Sequence, residues 1–180
     1  MTLRIALLRA VNVGGRGKIA MAELKAWAEG LGFGRVRTLL ASGNLVIDAK
    51  AGPGDQLEAL LEAEAARQLD LRTSFLVRDR LEWDAIVAEN AFPDAAREDP
   101  GHLVVIALKE APTDAAVETL RAAIKGPEAV VANGRTLYAT YPEGIGESKL
   151  TSALIERTLG VRGTARNWNT VLKVQALLRE

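Results

Sequence analysis

An α+β fold built from two similar halves is predicted by three features of this 180-residue sequence. Short apolar runs of strand length alternate with longer segments in which apolar residues recur at helical spacing. The order of these segments in the first part of the chain starts again in the second part. Between the two parts lies a polar, turn-rich stretch, residues 97–101, which reads Arg-Glu-Asp-Pro-Gly.

The first half follows the order strand, helix, strand, strand, helix, strand. The patterns predict strands over residues 5–8, 36–40, 45–47 and 73–77 and helices over residues 21–31 and 56–69. Turn residues 41–44 join the second and third strands, and Asp55 is a candidate cap for the second helix. This order is the ferredoxin-like, or split β-α-β, arrangement. A further helix is predicted over residues 81–89.

The second half begins the same order. The patterns predict strands over residues 103–108, 129–132 and 136–141, a helix from the cap Thr113 to residue 124, and a helix over residues 149–159. Asn133-Gly134 predicts a tight hairpin turn. Residues 161–169 do not resemble a fourth strand, so the repeat is expected to fail there, before a last helix that ends near Leu178.

The predicted fold is therefore α+β with two ferredoxin-like (βαββα) halves, the second with a remodelled C-terminal end and an extra helix. The first half comprises residues 1–98 with a trailing helix, and the second comprises residues 99–180 with the C-terminal helix. The alternative is a single domain that contains both halves.

Composition limits the classes of function. The chain has 23 basic and 23 acidic side chains, so its overall charge does not indicate a nucleic-acid or membrane partner. Residues 1–50 carry a net charge of +5, however, which permits a local anion site. Cysteine is absent, which excludes thiolate catalysis and fits a cytoplasmic protein. No signal peptide or membrane-spanning run is expected, and the oligomeric state is not predicted.

A glycine-rich, basic loop follows the first strand and is the main candidate for ligand binding. In a ferredoxin-like half the first two strands are parallel, so this loop should lie beside the hairpin at residues 41–44, and the turn near residues 70–72 should open at the same edge. Guanidinium, amide and backbone N–H groups there would suit an anionic oxygen. The candidate ligand-binding residues at this edge are Arg9, Asn12, Gly14, Gly15, Lys18, Ser42 and Asn44.

The alternative is that these residues only shape the turns. Glycines permit tight turns, the two asparagines close turns on their own backbone, and Ser42-Gly43 belongs to the hairpin. Two named phosphate motifs fail on spacing. Residues 15–20 match G-x-G-x-x-A, but the second strand turns back as a hairpin and no acidic residue follows for a ribose. Gly17-Lys18 lacks the preceding glycine and the following Ser or Thr of a P-loop.

A second polar cluster lies near the C-terminus. Its candidate ligand-binding residues are Lys149, Arg166, Asn167 and Asn169, which would complete one conjoined site with the first loop. Ser148, Asn167 and Asn169 are also natural helix caps, and helix starts attract anions. Trp168 is predicted to be a core residue, with stacking on a ligand ring as the alternative.

Several of these stretches resemble the family catalogued as domain of unknown function 1697. The resemblance is carried by residues 9–15 (Arg-Ala-Val-Asn-Val-Gly-Gly), 21–24, 31–33, 41–46, 141–146, 148–151 and 164–171 (Thr-Ala-Arg-Asn-Trp-Asn-Thr-Val). Ala10 and Val11 depart from the Gly and Ile that the family favours. The resemblance implies an α+β fold of soluble bacterial proteins, and it implies no activity, cofactor or catalytic residue.

Catalytic chemistry has little support in the sequence. His102 is the only histidine, no G-x-S-x-G elbow is present, and no residue cluster has metal-ligand spacing. Catalytic residues are therefore not assigned, and neither a metal nor a cofactor is expected. The function predicted best is binding of an anionic small molecule, a nucleotide or a phosphorylated metabolite. The alternatives are a nucleic-acid-binding module and an enzyme that acts by positioning a phosphate.

Overall fold

The computed structural model describes residues 1–14 and 17–180 and separates into two units by its internal contacts. The first unit contains Met1–Ala85 and Val174–Glu180, and the second contains Ile86–Lys173. Each unit is built on its own four-stranded antiparallel sheet. The predicted α+β class with two similar halves is therefore confirmed. The predicted domain bounds, residues 1–98 and 99–180, stay a prediction.

The first unit has the predicted order of elements. They are β1 (Thr2–Leu8), α1 (Met21–Gly30), β2 (Gly34–Leu39), β3 (Asn44–Ala49), α2 (Gly54–Leu69), β4 (Phe75–Asp79) and α3 (Arg80–Ala88). The strand order is β2-β3-β1-β4, and every neighbouring pair is antiparallel. β1 and β2 are consequently parallel to each other, so the end of β1 lies at the same sheet edge as the turn after β2.

The second unit repeats this order. Its elements are α4 (Pro93–Glu98), β5 (Leu103–Leu108), α5 (Asp114–Ala123), β6 (Ala129–Asn133), β7 (Thr136–Thr140), α6 (Ser152–Leu159) and β8 (Gly163–Asn167). They are followed by α7 (Trp168–Arg179), whose residues from Val174 onward belong to the first unit. The strand order is β6-β7-β5-β8, which corresponds strand for strand to the first sheet. The hairpin turn and the Thr113 cap are confirmed, since Thr113 accepts a hydrogen bond from the Ala116 amide.

The expected failure of the second repeat is wrong. β8 pairs with β5 as β4 pairs with β1, and α7 follows β8 as α3 follows β4. β8 was hard to recognise because two of its buried residues, Thr164 and Arg166, are polar. Helix α6 also begins later than predicted, because Thr151 caps it by accepting a hydrogen bond of 3.2 Å from the Leu154 amide.

Helices cover one face of each sheet. In the first unit Trp27 of α1 and Leu61 of α2 pack with sheet residues that include Phe75, whose ring centroid lies 6.0 Å from that of Trp27. In the second unit Leu120 of α5 and Ile155 of α6 belong to the equivalent core. Burial of these apolar side chains stabilises the packing of each sheet against its helices, while the strand ends continue into loops. Across the described ranges, no helix is long and apolar enough to cross a bilayer.

Glutamates of α2 and α6 accept hydrogen bonds from backbone amides at or beside the outer strand of each sheet. In the first unit the Val77 amide donates to Glu58 Oε1 at 2.8 Å, and the Phe75 amide donates to Glu62 Oε1 at 2.9 Å. In the second unit the Gly163 amide donates to Glu156 Oε1 at 3.1 Å. Such side-chain pairing covers donors that an edge strand would otherwise expose to other chains.

Candidate functional site

Three segments of the first unit meet where β1 ends. The Leu8 amide donates to the Gly43 carbonyl at 2.8 Å, which joins β1 to the β2–β3 turn. The Arg9 amide donates to the Ser74 carbonyl at 3.0 Å, and the Thr73 hydroxyl donates to the Arg9 carbonyl at 2.5 Å. The predicted proximity of the basic loop, the hairpin and the turn into β4 is therefore confirmed. Thr73 is a residue of this edge that sequence reasoning missed.

Asn12 fastens the loop that follows β1. Its Nδ2 donates to the carbonyls of Ala41, at 2.8 Å, and Ile19, at 3.0 Å, while its Oδ1 accepts from the Ile19 amide at 2.9 Å. The Asn12 amide also donates to the Gly17 carbonyl at 3.1 Å. Val11 and Ile19, which are both buried, anchor the two ends of the loop in the core. Because both Nδ2 protons are engaged, Asn12 holds the loop in shape rather than presenting a free donor.

The backbone of this loop is strained. Ala10, Asn12 and Gly14 have φ angles of +52°, +55° and +62°, and they alternate with Val11 and Val13, whose φ angles are not positive. Turns with left-handed residues of this kind can present backbone N–H groups to an anion, and the Asn12 amide in this loop donates to the Gly17 carbonyl. A left-handed conformation costs roughly 1–3 kcal/mol at a non-glycine residue, so Ala10 and Asn12 hold it only because the surroundings impose it.

The β2–β3 turn is packed tightly against the loop. Gly43 has a φ of +79°, and a Cβ there would lie 2.7 Å from Val11 Cγ2 and 2.8 Å from Leu8 Cβ. Only glycine fits this position. Asn44 is fully buried, and its Nδ2 donates to Ser42 Oγ at 3.0 Å and to the carbonyl at the end of β2 at 2.6 Å. Asn44 therefore acts on this edge through the shape of the turn.

Positive charge accompanies these segments. Lys18 and Arg72 are exposed, and Arg9 is half-buried directly after β1. Asp70, at the end of α2, adds one negative charge to the turn into β4. Gly15, which the sequence prediction includes in the site, lies outside the described residues.

Two of the three predicted residues at the β8–α7 junction, Asn167 and Arg166, have structural roles. Asn167 caps α7 and accepts a hydrogen bond of 3.0 Å from the Thr170 amide. Arg166 is buried, its Nη1 donates to Thr164 Oγ1 at 2.8 Å, and burial lowers its pKa to about 10. Asn169 is exposed on the first turn of α7.

The remaining predictions for the second unit have mixed outcomes. Trp168 is 5% exposed, which confirms the core interpretation. Ser148 does not cap α6; its hydroxyl accepts from the Leu150 amide and donates to Glu128. Lys149 lines a cavity that also contains the carboxylate of Glu128, so its surroundings are not uniformly positive. The prediction that these residues complete one site with the first unit stays a prediction.

The equivalent edge of the second unit has the same pair of backbone hydrogen bonds, which we call the frame, but it lacks the long loop. The Leu108 amide donates to the Arg135 carbonyl and the Lys109 amide donates to the Arg162 carbonyl, both at 2.9 Å. These two bonds correspond to the bonds of Leu8 and Arg9. Residues 109–113 nevertheless suffice to connect β5 to α5, whereas residues 9–20 connect β1 to α1. The connection in the first unit is longer than its counterpart, and this difference in length is the signal in the sequence that distinguishes the first loop from the repeated fold.

Possible metal ligands are not clustered in the part of the chain that the structure describes. Within residues 1–14 and 17–180, no group of three or more His, Cys, Asp or Glu side chains could hold a metal ion. The imidazole Nδ1 of His102 lies 2.8 Å from Asp99 Oδ2 at the exposed turn before β5.

Comparisons with known proteins agree with this picture of the fold. The sequence profile of the family described as "Protein of unknown function (DUF1697)" matches residues 1–138. A comparison with curated proteins finds no match. Among solved structures, a conserved bacterial protein from Streptococcus pneumoniae is 22% identical, with a TM-score of 0.75 and coverage of 98% of each chain. At this identity, the likeness shows the fold alone.

Proposed function

We propose that this chain, which belongs to the DUF1697 family of proteins of unknown function, binds an anionic small molecule at the end of β1. The ligand class is a nucleotide or a phosphorylated metabolite, and we place the protein in the cytoplasm, where such ligands occur. The observation that carries the proposal is the strained segment of residues 10–14, which Asn12 holds in place. The second unit makes the two equivalent backbone bonds with a shorter connection.

Strain is informative here because the fold does not require it. The second unit makes the same two backbone bonds after β5 and reaches its first helix through residues 109–113. Ala10 and Asn12 nevertheless adopt left-handed conformations in the first unit. Strain that is imposed by surrounding bonds is typical of ligand-binding loops. In this loop it places left-handed residues at positions 10, 12 and 14, and turns of this kind are common where backbone N–H groups bind anions.

The charges on the same segments favour an anion. Arg9 and Lys18 flank the strained residues along the chain, and Arg72 lies on the neighbouring turn. Guanidinium and ammonium groups form charge-assisted hydrogen bonds with phosphate oxygens, which are about twice as strong as neutral ones. Asn12, Ser42 and Asn44 support this arrangement by fixing the loop and the turn.

We also infer that both units are variants of the ferredoxin-like arrangement. Each has the order βαββαβ, with the first strand between the third and the fourth. The βαββαβ order of elements defines the ferredoxin-like arrangement. It explains why the first loop, the hairpin and the turn into the fourth strand meet in both units.

Binding of inorganic pyrophosphate, measured by calorimetry and by thermal shift, tests the proposal. We expect saturable binding to the full chain and a loss of affinity of about tenfold or more in Arg9→Ala and Lys18→Ala, because each loses a charge-assisted hydrogen bond. Lys109→Ala is the matched control, since Lys109 follows β5 as Arg9 follows β1. It should bind as tightly as the wild type.

The possible outcomes separate the proposal from its alternative. Failure of pyrophosphate, nucleotides and sugar phosphates to bind would contradict small-anion binding, and so would an equal loss of affinity in Lys109→Ala. Binding of an oligonucleotide whose affinity falls steeply with salt would instead favour the nucleic-acid alternative, because several counterions are then released.

A further inference from the structure

A cavity of about 390 Å³ lies in the second unit, between the end of α5 and the segment that precedes α6. Its size suits a small organic ligand. The lining combines an apolar surface with charges of both signs. The apolar surface comes from Ile124, Pro127, Leu150 and Leu154, and the charges come from Lys125, Glu128, Glu143, Glu147 and Lys149.

One of these charges, the carboxylate of Glu128, is held in place. Ser148 Oγ donates a hydrogen bond to Glu128 Oε1, and the same Oγ accepts from the Leu150 amide at 3.0 Å. Glu128 Oε2 folds over Gly126 so closely that a Cβ at this glycine would overlap it. The carboxylate is therefore held by the hydrogen bond from Ser148 and lies close to Gly126.

A buried tyrosine is hydrogen-bonded to Leu150, one of the residues that line the cavity. Tyr141 is buried, and its hydroxyl donates to the Leu150 carbonyl at 3.1 Å. Burial, followed by the negative charge of Glu128, raises the pKa of Tyr141 to about 12. Glu128, Ser148, Leu150 and Tyr141 thus form one connected group, built largely from the segment between β7 and α6.

We propose that this cavity binds a free amino acid with an apolar side chain. Glu128 offers a fixed partner for the α-ammonium, and the exposed Lys149 offers a mobile partner for the α-carboxylate. Leu150 and Leu154 supply the apolar surface against which the side chain packs. The proposal is independent of the anion site, because all of its residues belong to the second unit.

Titration of the full chain with L-leucine, followed by the amide resonances of the second unit, tests this proposal. We expect saturable shifts at Gly126, Leu150 and Leu154 with a Kd of about 1 mM, an affinity typical of few contacts. Two related compounds separate the contacts. N-acetyl-L-leucine lacks the ammonium and 3-methylbutylamine lacks the carboxylate, and each should bind about tenfold or more weakly.

Two variants complete the test. Glu128→Gln keeps an acceptor for Ser148 but removes the charge, so leucine affinity should fall about tenfold or more. Gly146→Ala is the control, because a Cβ at this position has no neighbour within 4 Å and should leave binding unchanged. Absence of saturable leucine shifts would overturn the proposal. Equal affinity for N-acetyl-L-leucine, or unchanged leucine affinity in Glu128→Gln, would overturn it as well.

Discussion

The sheet edges at the ends of β1 and β5 share one frame but differ in what the frame supports. In both units the last strand residue donates to the hairpin and the next residue donates to the turn before the fourth strand. At the end of β1 this frame supports a strained loop fastened by Asn12, and at the end of β5 it supports a short connection to α5. The comparison separates what the fold requires from what the first unit adds.

Outer-edge carboxylates differ most between the units, and Glu58→Ala should have the largest effect. Glu58 is buried, and its Oε1 lies 4.0 Å from Nη1 of the buried Arg78. Removing it takes away the carboxylate that faces this guanidinium and the acceptor of the Val77 amide, with an expected loss of about 3 kcal/mol. Glu156→Ala in the second unit, where Glu156 is half-buried, should cost about 1 kcal/mol. Urea unfolding measures both, and equal losses would contradict the comparison.

The two hairpin glycines give the next largest contrast. In Gly43→Ala the new methyl group would meet Val11 and Leu8 in addition to the strain of a φ of +79°. We expect a loss of about 2–4 kcal/mol in the free energy of unfolding. Gly134→Ala, with a φ of +54° and open space around it, should lose only about 1 kcal/mol. Thermal denaturation compares the two variants, and a lower melting temperature for Gly134→Ala than for Gly43→Ala would contradict this expectation.

Asn12→Ala should loosen the first loop while leaving the second unit intact. The change removes three hydrogen bonds, with an expected loss of about 2 kcal/mol in local stability. Hydrogen exchange at the Ile19 amide reports it directly, because this amide donates to Asn12 Oδ1. Val13→Ala, at an exposed neighbouring position, serves as the control. Unchanged protection of the Ile19 amide in Asn12→Ala would show that Asn12 does not hold the loop.

Alkaline pH should destabilise the second unit selectively, with the smallest effect. The chain has two tyrosines, Tyr138 and Tyr141, and both belong to this unit. Burial raises the pKa of each to about 12, with smaller contributions from Glu89 and Glu128 respectively. Their contribution to stability is complete below pH 10 and is lost as the pH rises toward 12. By pH 11 the loss should be about 1 kcal/mol per tyrosine.

The wild type and the two Tyr→Phe variants should therefore diverge above pH 10. Unfolding of the second unit is followed by hydrogen exchange, and ionisation is followed by tyrosinate absorbance. Ionisation of either phenol near its ordinary pKa in the folded chain would contradict the burial argument.

Much of the fold was predictable because its signals are local. Apolar periodicity marks α1 and α5, and Asn133-Gly134 marks the second hairpin. β8 was missed because Thr164 and Arg166, which are polar, occupy buried positions of the strand. Only pairing with β5 makes such a strand recognisable, and pairing is a long-range property.

The location of the candidate site was predictable from the sequence, but the contacts of its individual side chains were not. Topology predicted that the end of β1 lies beside residues 41–44, because parallel strands end at one edge, and the bonds of Leu8 and Asn12 to this turn agree. The sequence could not show that Asn12 Nδ2 donates both of its protons, to the carbonyls of Ala41 and Ile19. It also could not show that Asn44 is fully buried. Those roles depend on distances between segments that are remote in sequence.

The central claim is that the added loop of the first unit binds an anion and that the shared frame does not. The most direct measurement is a map of backbone amide shifts during titration with pyrophosphate. The account predicts the largest shifts at Ala10, Val11 and Gly14, with smaller shifts at Arg72 and no saturable shift at Lys109 or Arg162. Saturable shifts of equal size at Lys109 and Arg162, or none at Ala10 to Gly14, would contradict it.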